Sequence, residues 1–138
     1  MTSPDLIHAL EDTFSLDVRK IRSVGGGDIA NSYLLNTARG TLFAKMLDMP
    51  EGLEMLRAEK NGLEAISVSD TLRVPEVLGC ASTPAGSCLL LEYIAPGPDS
   101  RASYRALGRG LARMHQVTAH AFGWPRPNFI GSLPQENA

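Results

Sequence analysis

The stretch that decides the fold is residues 18–47, which read VRKIRSVGGGDIANSYLLNTARGTLFAKML. Residues 18–24 divide into two alternating sets of side chains, as in a half-exposed β-strand. Residues 25–28 and 38–40 are rich in glycine and polar turn formers. The stretch therefore predicts three consecutive strands over residues 18–24, 29–37 and 41–47.

Outward from this stretch, the pattern predicts helices on both sides and a second group of strands. Ser3-Pro4-Asp5 is typical of a helix start, and apolar residues at helical spacing follow it. The order predicts an α+β fold with a mostly antiparallel sheet. The further elements expected are helices over 4–13, 51–67 and 104–117, a loop with a short strand over 72–81, a strand over 87–94, a hinge at 96–98 and a loop over 122–138.

Composition excludes several classes of protein. The chain has 138 residues, which suits one ordinary domain. Its 13 basic and 15 acidic side chains give a net charge of −2, which argues against nucleic acid as a partner. No apolar run approaches the roughly 18–20 residues that span a bilayer, and no secretion signal is visible. We expect a cytoplasmic protein with no membrane partner, in which Cys80 and Cys88 are free thiols.

Two ionisable residues occupy positions where apolar side chains are expected. Lys45 lies in the middle of a strand with apolar residues on both faces, and Glu59 lies within the apolar stripe of the next helix. Each charge is costly to bury alone. Pairing Lys45 with Glu59 resolves both costs, and if the pair is largely buried its loss destabilises the fold by about 1–3 kcal/mol. The alternative is that Lys45 extends to solvent while Glu59 lies at the edge of the stripe.

Two other segments are suited to a nucleotide. Gly25-Gly26-Gly27 leaves a loop with no side chains to block a phosphate, although such a hairpin often serves only as a turn. Its spacing matches neither a Walker loop nor a dinucleotide fingerprint. The apolar run at residues 89–94 ends at Pro96-Gly97-Pro98. It is typical of a core strand, and its end offers backbone hydrogen bonds to a flat base.

Several motifs occur together in one order: Gly-Gly-Gly-Asp-Ile, Phe-Ala-Lys, Ala-Glu-x-x-Gly-Leu, Val-Pro-x-Val-Leu-Gly and Leu-Leu-Glu-Tyr, followed by NFIGSLPQEN at residues 128–137. In these motifs the sequence resembles the fructosamine kinase (ketosamine-3-kinase) family, which is similar in fold to aminoglycoside phosphotransferases and protein kinases. The resemblance implies a kinase-like N-lobe over residues 1–95, with a five-stranded sheet. It implies a hinge and the first part of a helical C-lobe over residues 96–138.

The resemblance also implies an activity, which is ATP-dependent phosphorylation of ketoamines at the sugar 3-hydroxyl. Fructosamine and ribulosamine adducts, free or on glycated proteins, would be the substrates, and the reaction would repair glycated amines. The partners implied are ATP, Mg²⁺ and ketoamines, with a second copy of the chain as a further candidate. The alternatives are a kinase of the same fold acting on an aminoglycoside or choline, and a non-catalytic nucleotide-binding or dimerising module.

By resemblance, Lys45 would hold the α- and β-phosphates of ATP, and Glu59 would orient Lys45. The glycine-rich loop would cover the phosphates, and the end of the apolar strand would contact adenine. Trp124, Asn128 and Phe129 would lie on the substrate side. The remaining residues implied at the nucleotide are Gly25, Gly26, Gly27, Asp28, Leu91, Glu92, Tyr93 and Ile94.

The family takes its catalytic aspartate from a His-Gly-Asp segment and holds Mg²⁺ with further Asn and Asp side chains. His8, His115 and His120 are the histidines of this sequence, and none precedes Gly-Asp. We therefore expect that these 138 residues bind nucleotide without catalysing transfer, as a truncated form of the family would.

Overall fold

The computed structural model describes residues 3–25 and 29–137. The α+β class is confirmed, because helices pack on both faces of an antiparallel sheet. The elements are α1 (Ser3–Phe14), β1 (Val18–Val24), β2 (Asn31–Thr37), β3 (Gly40–Leu47), α2 (Gly52–Ser69), β4 (Val77–Thr83), β5 (Gly86–Glu92), α3 (Arg101–Met114), β6 (Asn128–Ile130) and β7 (Leu133–Gln135).

The main sheet has five strands in the order β1-β2-β3-β5-β4, and every neighbouring pair is antiparallel. Strand β3 is therefore central, with β2 on one side and β5 on the other. Lys45 on β3 lies opposite Ser32 on β2 and Leu89 on β5. A central strand cannot shift without breaking two ladders of hydrogen bonds, so β3 is a rigid support for Lys45.

Each face of the sheet buries its own apolar cluster. Leu10 of α1 packs on one face against Leu35, Ala44 and Leu90. Leu56 of α2 packs on the other face with a second set, Leu47, Leu89 and Leu91. Because alternate residues of β3 belong to opposite clusters, the side chains of Phe43, Lys45 and Leu47 all point toward α2.

The structure moves the boundaries of several predicted elements. Helix α3 begins about one turn earlier than expected because Ser100 caps it: the Ser100 Oγ accepts from the Ser103 N–H at 3.0 Å. The loop expected over 122–138 is wrong in part, since residues 128–130 and 133–135 form an antiparallel hairpin. Strand β5 ends at Glu92, so Tyr93 and Ile94 lie beyond it. In the described ranges, no helix is long and apolar enough to cross a bilayer.

Residues 93–100 between β5 and α3 contain no helix or strand, which suits a hinge; the division at residue 96 stays a prediction. Helix α3 meets the N-terminal elements through Gly110, which is buried. Arg113 adds a hydrogen bond from its guanidinium to the carbonyl of Thr71 at 3.3 Å. Tyr104, Leu107 and Leu111 of α3 are exposed.

The close approach at Gly110 generates a prediction. A Cβ at Gly110 would lie 2.8 Å from the Thr71 carbonyl oxygen and would overlap the Leu72 side chain. We expect Gly110→Ala to push α3 away and lower the free energy of unfolding by about 1–3 kcal/mol. Urea denaturation followed by circular dichroism measures this change.

Gly108 provides a matched control in the same helix, since a Cβ there meets nothing within 4 Å. Gly108→Ala should raise the stability by about 0.5–1 kcal/mol, because alanine is the better helix former. Equal effects of the two substitutions would show that Gly110 has no packing role.

The two cysteines are free, and they lie on adjacent strands with their side chains on opposite faces of the sheet. Cys88 is fully buried in the α1 cluster, whereas Cys80 is half-buried beside the α2 cluster. Burial raises the pKa of Cys88 to about 12 and also raises the pKa of Cys80. Both side chains are therefore neutral thiols at neutral pH.

These positions predict different reactivities. In mildly alkaline buffer, iodoacetamide should modify Cys80 in the folded chain and Cys88 only on unfolding, as measured by mass spectrometry of the labelled peptides. The neutral Cys88 thiol contributes stability fully below its unfolded pKa of 9.0, and this is lost as the pH rises toward about 12. Labelling of both cysteines at one rate would contradict this arrangement.

Candidate functional site

Lys45 and Glu59 form the ion pair that the sequence predicts. The Nζ atom of Lys45 donates to the Oε2 atom of Glu59 at 2.5 Å. Strand β3 directs Lys45 toward α2, and the inward face of α2 directs Glu59 toward the sheet. The two side chains are 30% and 37% exposed, so the pair is partly buried and the condition for the larger loss of stability, a largely buried pair, is not met. Lys45 keeps two further N–H donors that this bond does not use.

A cleft of about 520 Å³ opens beside this pair. Its walls come from the two residues before β2, the end of β3, helix α2 and the β6–β7 hairpin. Its polar side chains are a lysine, a glutamate and an asparagine, and its other walls are mainly apolar. The lining residues are Ile29, Ala30, Lys45, Leu47, Met55, Leu56, Ala58, Glu59, Asn128, Phe129 and Gly131.

The glycine-rich loop connects β1 to this cleft. Gly25 follows β1 and is exposed, with nothing within 4 Å of a Cβ added to it. Gly26, Gly27 and Asp28 lie outside the described residues. Ile29, which comes directly after them, lines the cleft. The chain on the β2 side of the loop therefore returns next to Lys45.

The segment expected to contact adenine lies toward the other end of β3. Leu91 is buried in the α2 cluster, two residues along β5 from Leu89, which is opposite Lys45. The N–H of Glu92 donates to the Glu76 carbonyl at 2.9 Å, so this N–H is not free for a ligand. The backbone N–H of Glu76 and then the Arg73 guanidinium lower the pKa of Glu92. Arg73 lies 2.7 Å from the carboxylate and, with Glu76, fixes the end of β5.

Tyr93 lines a second, smaller hollow of about 260 Å³, together with Lys20, Arg22, Leu34, Asn36 and Thr41. Leu34 lies opposite Phe43 on β3, so this hollow opens on the same face of the sheet as the cleft. Thr41 in the hollow and Lys45 in the cleft are four residues apart, or about 13 Å along the strand. Phe43 lies between them, so one face of β3 links both concavities.

The β6–β7 hairpin supplies the third side of the cleft. Phe129 and Asn128 both line it, whereas Trp124 does not and is 37% exposed. The Oδ1 atom of Asn128 is buried and has no hydrogen-bond partner in the described part of the chain. The structure thus brings Lys45, Glu59 and two hairpin residues together.

Sequence reasoning missed several lining residues. Ile29 and Met55 line the cleft, and Phe43 separates the two concavities. Phe43 was detectable, since it lies two residues before Lys45 and so shares its face of β3. Met55 lies on the apolar stripe of α2, where the sequence pattern does not distinguish it from a core residue.

The described residues offer little to a metal ion. Within residues 3–25 and 29–137, no group of three or more His, Cys, Asp or Glu side chains is placed to hold one. Glu59 is the carboxylate of the cleft lining, and it is paired with Lys45. This part of the chain therefore does not fit Mg²⁺, and no step is assigned to the ion here.

The exposure of the ion pair sets the expected effect of breaking it. Glu59→Gln should lower the free energy of unfolding by less than about 1 kcal/mol, because solvent screens a pair exposed by about a third. Glu64→Gln is the control, since Glu64 pairs with Lys60 at 2.8 Å on the same helix. Chemical denaturation compares the two variants, and a much larger loss for Glu59→Gln would show that the pair is structural.

Known proteins are similar to this chain in sequence. Among curated relatives, a protein named as a ketoamine kinase from Synechocystis sp. is 36% identical over 121 residues, covering 87% of this chain and 41% of the relative. The chloroplastic protein-ribulosamine 3-kinase of Arabidopsis thaliana is 39% identical over 123 residues, covering 87% of this chain and 37% of that protein. The chain thus spans about two fifths of the length of these relatives.

Solved structures agree in fold. A structure assigned as a fructosamine-3-kinase from Thermobifida fusca superposes with a TM-score of 0.81 at 27% identity, over 99% of this chain and 47% of the other. One assigned likewise from Haemophilus somnus has a TM-score of 0.82 at 22% identity, over 96% and 46%. The described elements therefore have the protein-kinase-like fold. The sequence model for fructosamine kinases matches residues 3–138, and the chain belongs to this family.

Proposed function

We propose that this chain carries the ATP-binding part of a kinase that phosphorylates ketoamines. The observation that carries the proposal is the ion pair between Lys45 and Glu59 at the edge of the 520 Å³ cleft. A lysine fixed by a glutamate of the following helix is the arrangement with which kinases hold nucleotide phosphates. The family membership and the names of its relatives agree with this use.

In this proposal Lys45 is the phosphate anchor. Its ammonium has two N–H donors that the Glu59 bond leaves over, and both can donate to oxygens of the α- and β-phosphates. Glu59 limits the rotation of the lysine, so less conformational freedom is lost when the phosphates bind. By the family resemblance, the segment Gly25, Gly26, Gly27 and Asp28 would cover the phosphates.

The base of ATP extends along β3 toward the smaller hollow. Phe43 separates the hollow from the cleft, at a distance from Lys45 that an extended nucleotide can bridge. Leu91 closes the back of this site. Because the Glu92 N–H is already donated to Glu76, the hydrogen bonds to adenine come from the Glu92 carbonyl and from the backbone of Tyr93 and Ile94.

The acceptor substrate of the complete kinase is a ketoamine, for which the relatives named as ketoamine and ribulosamine kinases are the support. Asn128 and Phe129 belong to its side of the cleft, with Trp124 farther out. In the described ranges, the lining of the cleft offers no unpaired carboxylate to take the proton of a sugar hydroxyl. We therefore assign nucleotide binding to these residues, and phosphoryl transfer to the complete kinase.

The nucleotide proposal predicts the result of one substitution. Lys45→Ala should weaken ATP binding by about ten- to a hundredfold, because it removes charge-assisted hydrogen bonds to the phosphates. It should change the fold little, since the lysine is partly exposed. Isothermal titration calorimetry with ATP measures the affinity, and circular dichroism checks the fold.

Lys60→Ala is the control for charge. Lys60 is a residue of α2 and is paired with Glu64, as Lys45 is paired with Glu59, but Lys60 does not line the cleft. Its removal should leave the ATP affinity unchanged. If Lys45→Ala binds ATP as tightly as the wild-type chain does, the anchor role is wrong.

A further inference from the structure

Among the described residues, the smaller hollow that Tyr93 lines has two basic side chains in its walls and no acidic one. Lys20 and Arg22 both belong to β1, and neither forms an ion pair within the described part of the chain. Their alternate positions place them on one face of the strand, opposite Asn36 and Leu34 of β2. Positive charge is therefore concentrated in a concavity of about 260 Å³ on the same face of the sheet as the cleft.

The neutral polar side chains of the hollow add hydrogen-bond donors to these charges. The Thr41 hydroxyl donates to the Oδ1 atom of Asn36 at 3.2 Å, which leaves the Nδ2 hydrogens of Asn36 for another acceptor. The charged ends of lysine and arginine carry donors and no acceptors. A lining of cations and donors is suited to an anion with several oxygen acceptors, such as a phosphate group.

The sheet sets the distance between this charge and Lys45. Arg22 lies opposite Leu34, which lies opposite Phe43, two residues before Lys45 on β3. Two strand spacings across the sheet and two residues along β3 place the Cα atoms of Arg22 and Lys45 about 12 Å apart. Because both side chains are long and lie on the same face, one ligand can contact Lys45 with one anionic group and Arg22 with another.

ATP carries anionic groups at one end only, so it does not use both positive regions. In the proposed binding mode Lys45 binds the phosphates, and the base contacts the backbone beyond β5. Strands β1 and β2 lie on the other side of β3, so the ribose that joins base to phosphates is the part of the nucleotide nearest to them. A second phosphate on a ribose hydroxyl would supply an anion for Lys20 and Arg22.

We propose that the smaller hollow binds the ribose phosphate of nucleotides that carry a second phosphate on the 2′- or 3′-hydroxyl. This inference rests on the proposed function, because the 5′-phosphate and the base occupy the same places as in ATP. A nucleotide of this class fills the cleft and the hollow together and therefore competes with ATP. Lys20 and Arg22 are then the residues that distinguish it from nucleotides with an unmodified ribose.

The affinities of AMP, adenosine 2′,5′-bisphosphate and adenosine 3′,5′-bisphosphate test the proposal, since each bisphosphate differs from AMP by one phosphate. Isothermal titration calorimetry on the 138-residue chain measures them. At least one bisphosphate should bind about tenfold more tightly than AMP, the effect of a charge-assisted hydrogen bond to the added phosphate. The same bisphosphate should weaken the apparent affinity for ATP when both nucleotides are present.

Substitutions on β1 separate the hollow from a general attraction between charges. A double variant, Lys20→Ala with Arg22→Ala, should bind the bisphosphate no more tightly than AMP and should leave the affinity for AMP unchanged. Both side chains are exposed, so the fold should persist, which circular dichroism checks. Arg19→Ala is the matched control, because Arg19 is an exposed arginine of the same strand that does not line the hollow. In this control the bisphosphate should keep its advantage over AMP.

Two results would overturn this inference alone. The first is equal affinity of the wild-type chain for AMP and both bisphosphates, which would leave Lys20 and Arg22 the role of keeping the edge strand β1 from pairing with other chains. The second is an advantage of the bisphosphate that persists in the double variant, since Lys45 would then bind the added phosphate. ATP titrations of the wild-type and Lys45→Ala chains report on the proposed function separately. A wild-type chain that binds none of these nucleotides would overturn both proposals.

Discussion

The ion pair between Lys45 and Glu59 is the interaction that connects the sheet to helix α2 at the point where the cleft opens. The bond itself contributes little to stability, since both partners are partly exposed. Its importance is geometric. Leu56 is fully buried against Leu89 and Leu91, and this packing fixes the height of α2 above the sheet. The apolar cluster therefore positions Glu59, and Glu59 in turn positions the lysine.

Because β3 is the central strand, its residues line both the cleft and the smaller hollow. Its residues 41, 43 and 45 lie on the same face, so the spacing of residues along the strand sets the distance between the cleft and the smaller hollow that Tyr93 lines. The opposite face carries Ala44 and Met46, which are buried beneath α1. Helix α1 thus covers one face of the sheet, while α2 and the cleft lie on the other face.

The sequence predicts those parts of the fold whose signals are local. Residues 18–47 contain both the alternation of strands and the turn residues between them. Two charges at apolar positions suggest the pair of Lys45 with Glu59, and the family resemblance favours it over a lysine that extends to solvent. The β6–β7 hairpin escapes this reasoning because its strands have three residues each, too few to show alternation. The start of α3 depends on the cap at Ser100. The sequence did not reveal this cap, because the nearby Pro96 and Pro98 are typical of a hinge. The unsatisfied Oδ1 of Asn128 is invisible in any pattern, because it depends on packing between segments far apart in sequence.

A common physical reason unites the residues that fit their local surroundings least well. Lys45 interrupts an apolar strand, Glu59 interrupts the apolar stripe of a helix, and Asn128 buries an acceptor without a donor. Each is a local cost to folding, and natural sequences carry few such costs without a compensating gain. All three line the same cleft. Lys45 and Glu59 offset part of their cost through each other, whereas the Asn128 Oδ1 has no hydrogen-bond partner in the described part of the chain.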